Sequence, residues 1–181
     1  LVRALFSPLI YRLYSLGLLL GTVYSVPPLM LKRYPVAAGG IIAVVRGFFL
    51  NFGVYYAVKE ALQVPFRWDP IVLFVSRFMT IFAALIAVTK DLPDVKGDIK
   101  YNVSTFASRV GVGRVATLAT GILLFNYLSA ILESVLRPNV FRMSAMVGGH
   151  ALAGIYSIWN RLMLKPDDDA SIKTFYRRIW N

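Results

Sequence analysis

The sequence contains no cysteine, only one histidine and few acidic residues. The absence of cysteine excludes disulfides and thiolate metal centres, and the single histidine excludes a histidine-rich metal site. Asp and Glu together number nine against 20 Lys and Arg residues, which gives a formal net charge of +11. In a soluble protein that excess would indicate a nucleic-acid partner. Here the basic residues lie mostly between apolar segments or at their ends, which indicates membrane-surface anchoring and an anionic substrate rather than nucleic acid.

The apolar content is too high for an ordinary soluble domain. Hydrophobic residues make up 57% of the chain, and the mean hydropathy is +0.63. A bilayer core requires about twenty apolar residues per helix and excludes non-helical backbone from lipid, so apolar runs of that length must be helices. The sequence therefore predicts an all-α, polytopic transmembrane helical bundle in the lipid bilayer. Five spans are predicted at 9–26, 36–58, 70–89, 112–134 and 139–163, and a sixth begins after Ser171.

The acidic residues are absent from the middle of every predicted span. All nine lie in loops or at span ends, and no internal repeat is visible. Cation-coupled transporters usually carry ionisable groups near the middle of the membrane and often show repeated halves. The distribution therefore disfavours a transporter, although a non-enzymatic transporter or scaffold remains an alternative. No protein partner can be identified from the sequence.

Three aspartates follow the third predicted span within a short loop. Asp91, Asp94 and Asp98 are interleaved with a proline and a glycine that prevent a regular helix. Carboxylates at such density repel one another unless a cation lies among them, and Mg²⁺ suits a few hard oxygen ligands completed by water and substrate phosphates. The loop is therefore a candidate site for Mg²⁺ and for an anionic substrate that the ion would bind. The alternative is a solvated loop of mixed charge, because three lysines lie among or beside the acids: Lys90, Lys96 and Lys100.

The pattern D-x-P-D-x-x-G-D over 91–98, followed by Lys100 and Tyr101, resembles the second aspartate-rich motif of the UbiA-type intramembrane aromatic prenyltransferases. Segments 21–28, 31–35 and 46–55 narrow the resemblance to plant and algal homogentisate prenyltransferases, in particular the homogentisate solanesyltransferases. The chain departs from the family pattern at Lys96, where an acid is usual, and at Ile99, where a basic residue is common.

The resemblance implies a Mg²⁺-dependent enzyme in a chloroplast membrane. It would transfer a long prenyl group, with solanesyl diphosphate as donor, to homogentisate with decarboxylation, in plastoquinone biosynthesis. Phytyl or geranylgeranyl donors, or another aromatic acceptor, are the alternatives within the family. The catalytic and metal residues would be Asp91, Asp94 and Asp98, and the diphosphate-binding residues would be Tyr24, Lys32, Arg33, Lys90 and Lys100.

Two polar residues inside the second predicted span are candidate cavity residues. Arg46 lies about 16 Å into the span at 1.5 Å per residue. A guanidinium there is unfavourable by roughly 2.5–3.5 kcal/mol, so it should face the bundle interior and have a partner. Asn51 is about 140° further round the helix. Arg46 either lines the substrate cavity or locks two helices together. The run Asp167 to Asp169 is interpreted as a solvated loop, because adjacent acids do not converge easily on one ion.

Relatives of this type should carry a further motif, N-x-x-x-D-x-x-x-D, in an earlier loop. The sequence contains no such pattern. We therefore expect residues 1–181 to be the C-terminal portion of a single transmembrane prenyltransferase domain, with the first aspartate-rich motif and the final helices missing. On that expectation, these residues alone would be inactive.

Overall fold

The computed structural model describes residues 7–180, apart from the side chains of Pro35 and Val36. Within that range the regular secondary structure is entirely helical. The helices are α1 (Pro8–Ser25), α2 (Pro35–Ile42), α3 (Leu50–Ala61), α4 (Pro70–Thr89), α5 (Val95–Lys100), α6 (Phe106–Val110), α7 (Val112–Leu136), α8 (Met143–Leu162) and α9 (Asp169–Trp180). Single 3₁₀ turns span Leu31–Arg33 and Leu92–Asp94, and the π-helical segment Ala43–Phe49 joins α2 to α3.

Helix boundaries follow the local chemistry of the chain. Proline is the first residue of α1, α2 and α4, where its fixed φ suits the first helical turn and its missing N–H removes no helical hydrogen bond. The Asp69 carboxylate accepts a hydrogen bond from the Ile71 amide at 2.8 Å, so it caps the start of α4. These signals explain where the helices of the first three predicted spans begin.

Three helical segments are long and apolar enough to cross a membrane: Ala37–Ala61, Pro70–Lys100 and Val112–Leu136. The predicted all-α, polytopic membrane architecture is therefore confirmed. The helix expected after Ser171 begins at Asp169 instead, and its described part is amphipathic, because Ile172 and Phe175 are buried whereas Lys173 and Arg177 are exposed.

The chain divides into two compact units, residues 1–84 and 85–181, with the division falling inside α4. The expectation of a single domain stays a prediction. The first unit contains an apolar groove of about 490 Å³ between α1 and the segment from Val45 to Ala57. It also contains an aromatic cluster in which Phe66 packs edge-on against Trp68, with ring centroids 5.1 Å apart.

Gly47 allows two helical segments of the first unit to approach closely. A Cβ atom at this position would lie 2.7 Å from the Thr80 nitrogen and closer still to its Cα, so only glycine fits. Close backbone approach through small residues is a common way for membrane helices to pack. Gly47 lies in the π-helical segment, and the Asn51 side chain donates a hydrogen bond to its carbonyl at 2.5 Å.

In the second unit, α7 and α8 form an antiparallel helical hairpin. Two pairs of small residues on α7 are buried, which lets the two backbones approach: Ala116 with Ala119, three positions apart, and Ala130 with Ser134, four positions apart. α9 packs against this hairpin through the buried side chains of Ile172 and Phe175. The same hydrophobic cluster includes Leu92 and Val95, so the aspartate loop is held beside the start of α9.

Candidate functional site: the aspartate loop and the start of α9

Apolar and acidic residues alternate through the aspartate loop. Pro93 lies in the 3₁₀ turn Leu92–Asp94, and α5 continues directly from that turn. Leu92 and Val95 are buried in the hydrophobic cluster, with exposed fractions of 0% and 3%. Asp94 is exposed and Asp98 is partly exposed. The buried residues therefore fix the backbone while the carboxylates face outward.

Asp94 and Asp98 line one cavity of about 500 Å³. Lys96 lines it from the same loop, and Asp169 and Lys173 line it from the first turns of α9. Because the cavity has both carboxylates and ammonium groups, it can hold a cation together with the anion that accompanies it.

A hydrogen bond orients the Asp98 carboxylate. The Thr105 hydroxyl donates to Asp98 Oδ2 at 2.9 Å. Thr105 is also the N-cap of α6, where its oxygen accepts from the Ser108 amide at 3.2 Å and its own amide donates to the Ser108 hydroxyl at 2.9 Å. This reciprocal capping fixes Thr105, so Asp98 is held by a rigid partner.

Asp91 is placed differently from the other two aspartates. Its carboxylate forms an ion pair with Lys90 at 3.0 Å, and it does not line the cavity. Among the described residues, no three His, Asp or Glu side chains lie close enough together to hold a metal ion. The structure thus brings two of the three predicted ligands together, and the complete ligand set stays a prediction. Two carboxylates still fit Mg²⁺, which needs only one or two when substrate phosphates complete its shell.

Lys96 links the aspartate loop to α9. Its ammonium group lies 3.0 Å from Asp169 Oδ1 and donates to the Asp167 carbonyl at 3.1 Å. Both side chains of the ion pair are about half exposed, at 55% and 54%. The run at 167–169 is therefore solvated, as interpreted, but Asp169 has a second role at the cavity that the sequence did not indicate.

Lys173 is a cavity residue that the sequence analysis missed. It lies four positions after Asp169, on the same face of α9, so both side chains reach the cavity. The spacing of acid and base was the available signal, but nothing in the sequence showed that α9 would lie beside a loop some seventy residues earlier.

The remaining predicted diphosphate residues do not line this cavity. Lys100 is exposed, with its ammonium group 5.6 Å from the Tyr101 ring centroid. Tyr24 lies near the end of α1 in the first unit, and Lys32 and Arg33 form the exposed 3₁₀ turn that follows it. Their assignment to the diphosphate site stays a prediction.

The two candidate cavity residues of the second predicted span have different surroundings. Arg46 is exposed, and the described residues offer it no ion-pair partner, which differs from the expectation of an interior position with a partner. The expectation assumed a regular helix, whereas the segment is π-helical and changes the direction of each side chain. Asn51 satisfies the Gly47 carbonyl within the same helix, and its role as a cavity residue stays untested.

These features define a helical integral membrane protein with a mixed acidic and basic cavity suited to a phosphorylated ligand. The model of the UbiA prenyltransferase family matches residues 1–181, and the chain belongs to that family. The resemblance inferred from the aspartate motif is thereby confirmed.

Several relatives of the chain have names that specify homogentisate. The chain is 52% identical over 97% of its length to the probable homogentisate phytyltransferase 2, chloroplastic, of Oryza sativa subsp. japonica. It is 51% identical over 97% of its length to the chloroplastic homogentisate solanesyltransferase of Arabidopsis thaliana. It is 32% identical over 96% of its length to the homogentisate geranylgeranyltransferase of Triticum aestivum.

The chain spans less than half the length of these relatives, covering 47%, 46% and 43% of them respectively. No solved structure gives a significant match to the chain.

Proposed function

We propose that the full-length protein is a Mg²⁺-dependent aromatic prenyltransferase of a plastid membrane. It transfers the prenyl group of a prenyl diphosphate to homogentisate. The observation that carries the proposal is the cavity in which Asp94 and Asp98 meet Lys96 and Lys173. Support for the acceptor and the plastid comes from the rice and Arabidopsis relatives, whose names specify homogentisate and a chloroplastic location.

In this proposal Asp94 and Asp98 hold Mg²⁺, and Thr105 keeps the Asp98 carboxylate in position. The ion supplies stabilisation of the negative charge that accumulates on the diphosphate as its bond to the prenyl carbon breaks. Lys96 and Lys173 line the same cavity, where their ammonium groups would contact the phosphate oxygens and stabilise the same charge. Because Lys96 is already paired with Asp169, the loop and α9 present their charges to the ligand together.

We propose solanesyl diphosphate as the donor, so that the product feeds plastoquinone synthesis. Support for this donor comes from the Arabidopsis relative at 51% identity, which is named a homogentisate solanesyltransferase. A phytyl donor is the second candidate, because the rice relative at 52% identity is named a probable phytyltransferase.

The test is an assay of the full-length protein in membranes. Labelled homogentisate is supplied with solanesyl, phytyl or geranylgeranyl diphosphate, with Mg²⁺ or with a chelator, and the prenylated product is separated by chromatography. We expect Mg²⁺-dependent product from the wild type, most of it from the solanesyl donor. Asp94→Asn should reduce the rate at least about a hundredfold, because it removes a ligand charge that the transition state uses.

Asp167→Asn is the matched control. Asp167 contributes only its backbone carbonyl to Lys96 and does not line the cavity, so this variant should keep wild-type activity. Absence of product with all three donors would overturn the proposal. Equal loss in both variants would show that the effect is not specific to the cavity.

A further inference from the structure

Lys96 is the group in the aspartate loop that can compete with Mg²⁺ for its ligands. It lies between Asp94 and Asp98 in the sequence, and all three residues line the same cavity. Side chains two positions apart do not face each other on a helix, but the four-carbon stem of lysine is flexible enough to bring its ammonium group to either carboxylate. A cation tethered in this way would occupy the oxygens that the proposed function assigns to the metal ion.

The structure places this ammonium group against the start of α9 instead. Lys96 Nζ lies 3.0 Å from Asp169 Oδ1 and donates a hydrogen bond to the Asp167 carbonyl at 3.1 Å. In the part of the chain that the structure describes, no ion pair joins Lys96 to Asp94 or Asp98. Because an ammonium group has three N–H donors, one donor is left to contact an anion in the cavity.

Local contacts hold Asp169 in position at the start of α9. The Asp168 carboxylate accepts hydrogen bonds from the amides two and three residues later, each at 3.2 Å, and so caps the first turn of the helix. Ile172 follows on the same helix and is buried in the hydrophobic cluster that includes Leu92 of the aspartate loop. A shift of α9 that withdrew Asp169 from Lys96 would expose these apolar side chains, so the acid of the ion pair is fixed while the base is on a flexible stem.

We infer that Asp169 is a positioning residue for the metal site. Its carboxylate holds the Lys96 ammonium group away from Asp94 and Asp98, and both aspartates therefore stay available to Mg²⁺. Without the Asp169 carboxylate, Lys96 pairs with one of them, and the metal ion must displace it. The inference rests on the proposed function, since Asp94 and Asp98 are the ligands assigned there.

The test measures metal binding by the purified full-length protein without turnover. Mn²⁺ replaces Mg²⁺, because both prefer carboxylate and water oxygens, and free Mn²⁺ is followed by electron paramagnetic resonance. Asp94→Asn identifies the binding that belongs to this cavity. Asp169→Asn should weaken that binding about threefold to fivefold, which is the size of effect that an exposed ion pair has on an equilibrium. Asp167→Asn is the matched control: it removes the same charge from the same loop and keeps the backbone carbonyl that binds Lys96, so the affinity should not change.

A double-mutant cycle separates this role from a simple loss of negative charge. Lys96→Gln alone should change the Mn²⁺ affinity little, because Asp169 already holds the ammonium group away from the metal ligands. In the Asp169→Asn background, Lys96→Gln should restore the affinity to near the wild-type value. Asp169→Glu keeps the carboxylate and should keep most of the affinity. Equal strengthening of binding by Lys96→Gln in both backgrounds is the result expected from charge alone, and it would overturn the inference.

The rate of prenyl transfer gives a second readout. Asp169→Asn should raise the Mg²⁺ concentration for half-maximal rate about threefold to fivefold and leave kcat at saturating Mg²⁺ nearly unchanged, because excess metal displaces Lys96. A fall in kcat that excess Mg²⁺ does not restore would refute the positioning role.

The variants also distinguish failure of the inference from failure of the proposed function. Weaker Mn²⁺ binding in Asp94→Asn, with wild-type binding in Asp169→Asn, would refute the inference and leave the proposed function standing. Wild-type Mn²⁺ binding in Asp94→Asn would refute both, since Asp94 would then not be a metal ligand.

Discussion

Replacing Gly47 by alanine should destabilise the protein more than any ordinary Gly→Ala change. A methyl group there would lie 2.7 Å from the Thr80 nitrogen and nearer still to its Cα, well inside van der Waals contact. Because the atoms it meets include backbone, the helices must move apart, and overpacking of this kind is unfavourable by about 1–3 kcal/mol. At about 2–4 °C per kcal/mol, the value for chains of about 150–250 residues, that corresponds to a fall in Tm of roughly 2–12 °C.

The measurement is thermal unfolding of the full-length protein in detergent, followed by intrinsic fluorescence. Gly40→Ala is the matched control, because a Cβ at Gly40 meets nothing within 4 Å. Alanine is favoured over glycine in a helix by about 0.5–1 kcal/mol, so the control should be neutral or more stable than wild type. Thr80→Ala should not rescue Gly47→Ala, since it leaves the clashing backbone in place. Equal Tm values for the Gly47 and Gly40 variants would refute the close approach.

Two further results are expected from single substitutions. Asp91→Asn should retain more transferase activity than Asp94→Asn in the same membranes, because Asp91 does not line the cavity; the reverse order of rates would contradict this placement. Thr105→Val should lower stability by about 0.5–2 kcal/mol through loss of the α6 cap, seen as a lower Tm, and should also raise the Mg²⁺ concentration for half-maximal rate, because Asp98 loses its hydrogen bond.

The helices were predictable because the bilayer simplifies the sequence signal. Long apolar runs separated by proline must be helical, since lipid cannot satisfy an open backbone. The π-helical segment Ala43–Phe49 was not predictable in the same way. Its residues are as apolar as those of a regular helix, and the segment packs against Thr80 through Gly47, which is a contact distant in sequence.

The candidate site was only partly predictable for a similar reason. Asp94 and Asp98 share a short motif whose spacing is visible in the sequence, and both line the cavity. Asp169 and Lys173 join them through the burial of Ile172 and Phe175 beside Leu92, which no local pattern reveals. Asp91 belongs to the same motif, but its neighbour Lys90 takes its carboxylate as an ion-pair partner. A motif thus identifies the acids, whereas the contacts in the folded chain decide which of them line one cavity.

The hydrophobic cluster under the aspartate loop has a consequence for ligand affinity. Leu92 and Val95 are anchored among the buried side chains of α7 and α9, so the loop cannot rearrange without exposing them. The backbone that carries Asp94 and Asp98 is therefore already fixed before any ligand arrives. Binding then loses little conformational entropy in ordering the protein, and more of the interaction free energy remains as affinity. The apolar underside of the loop thus contributes to binding without touching the ligand.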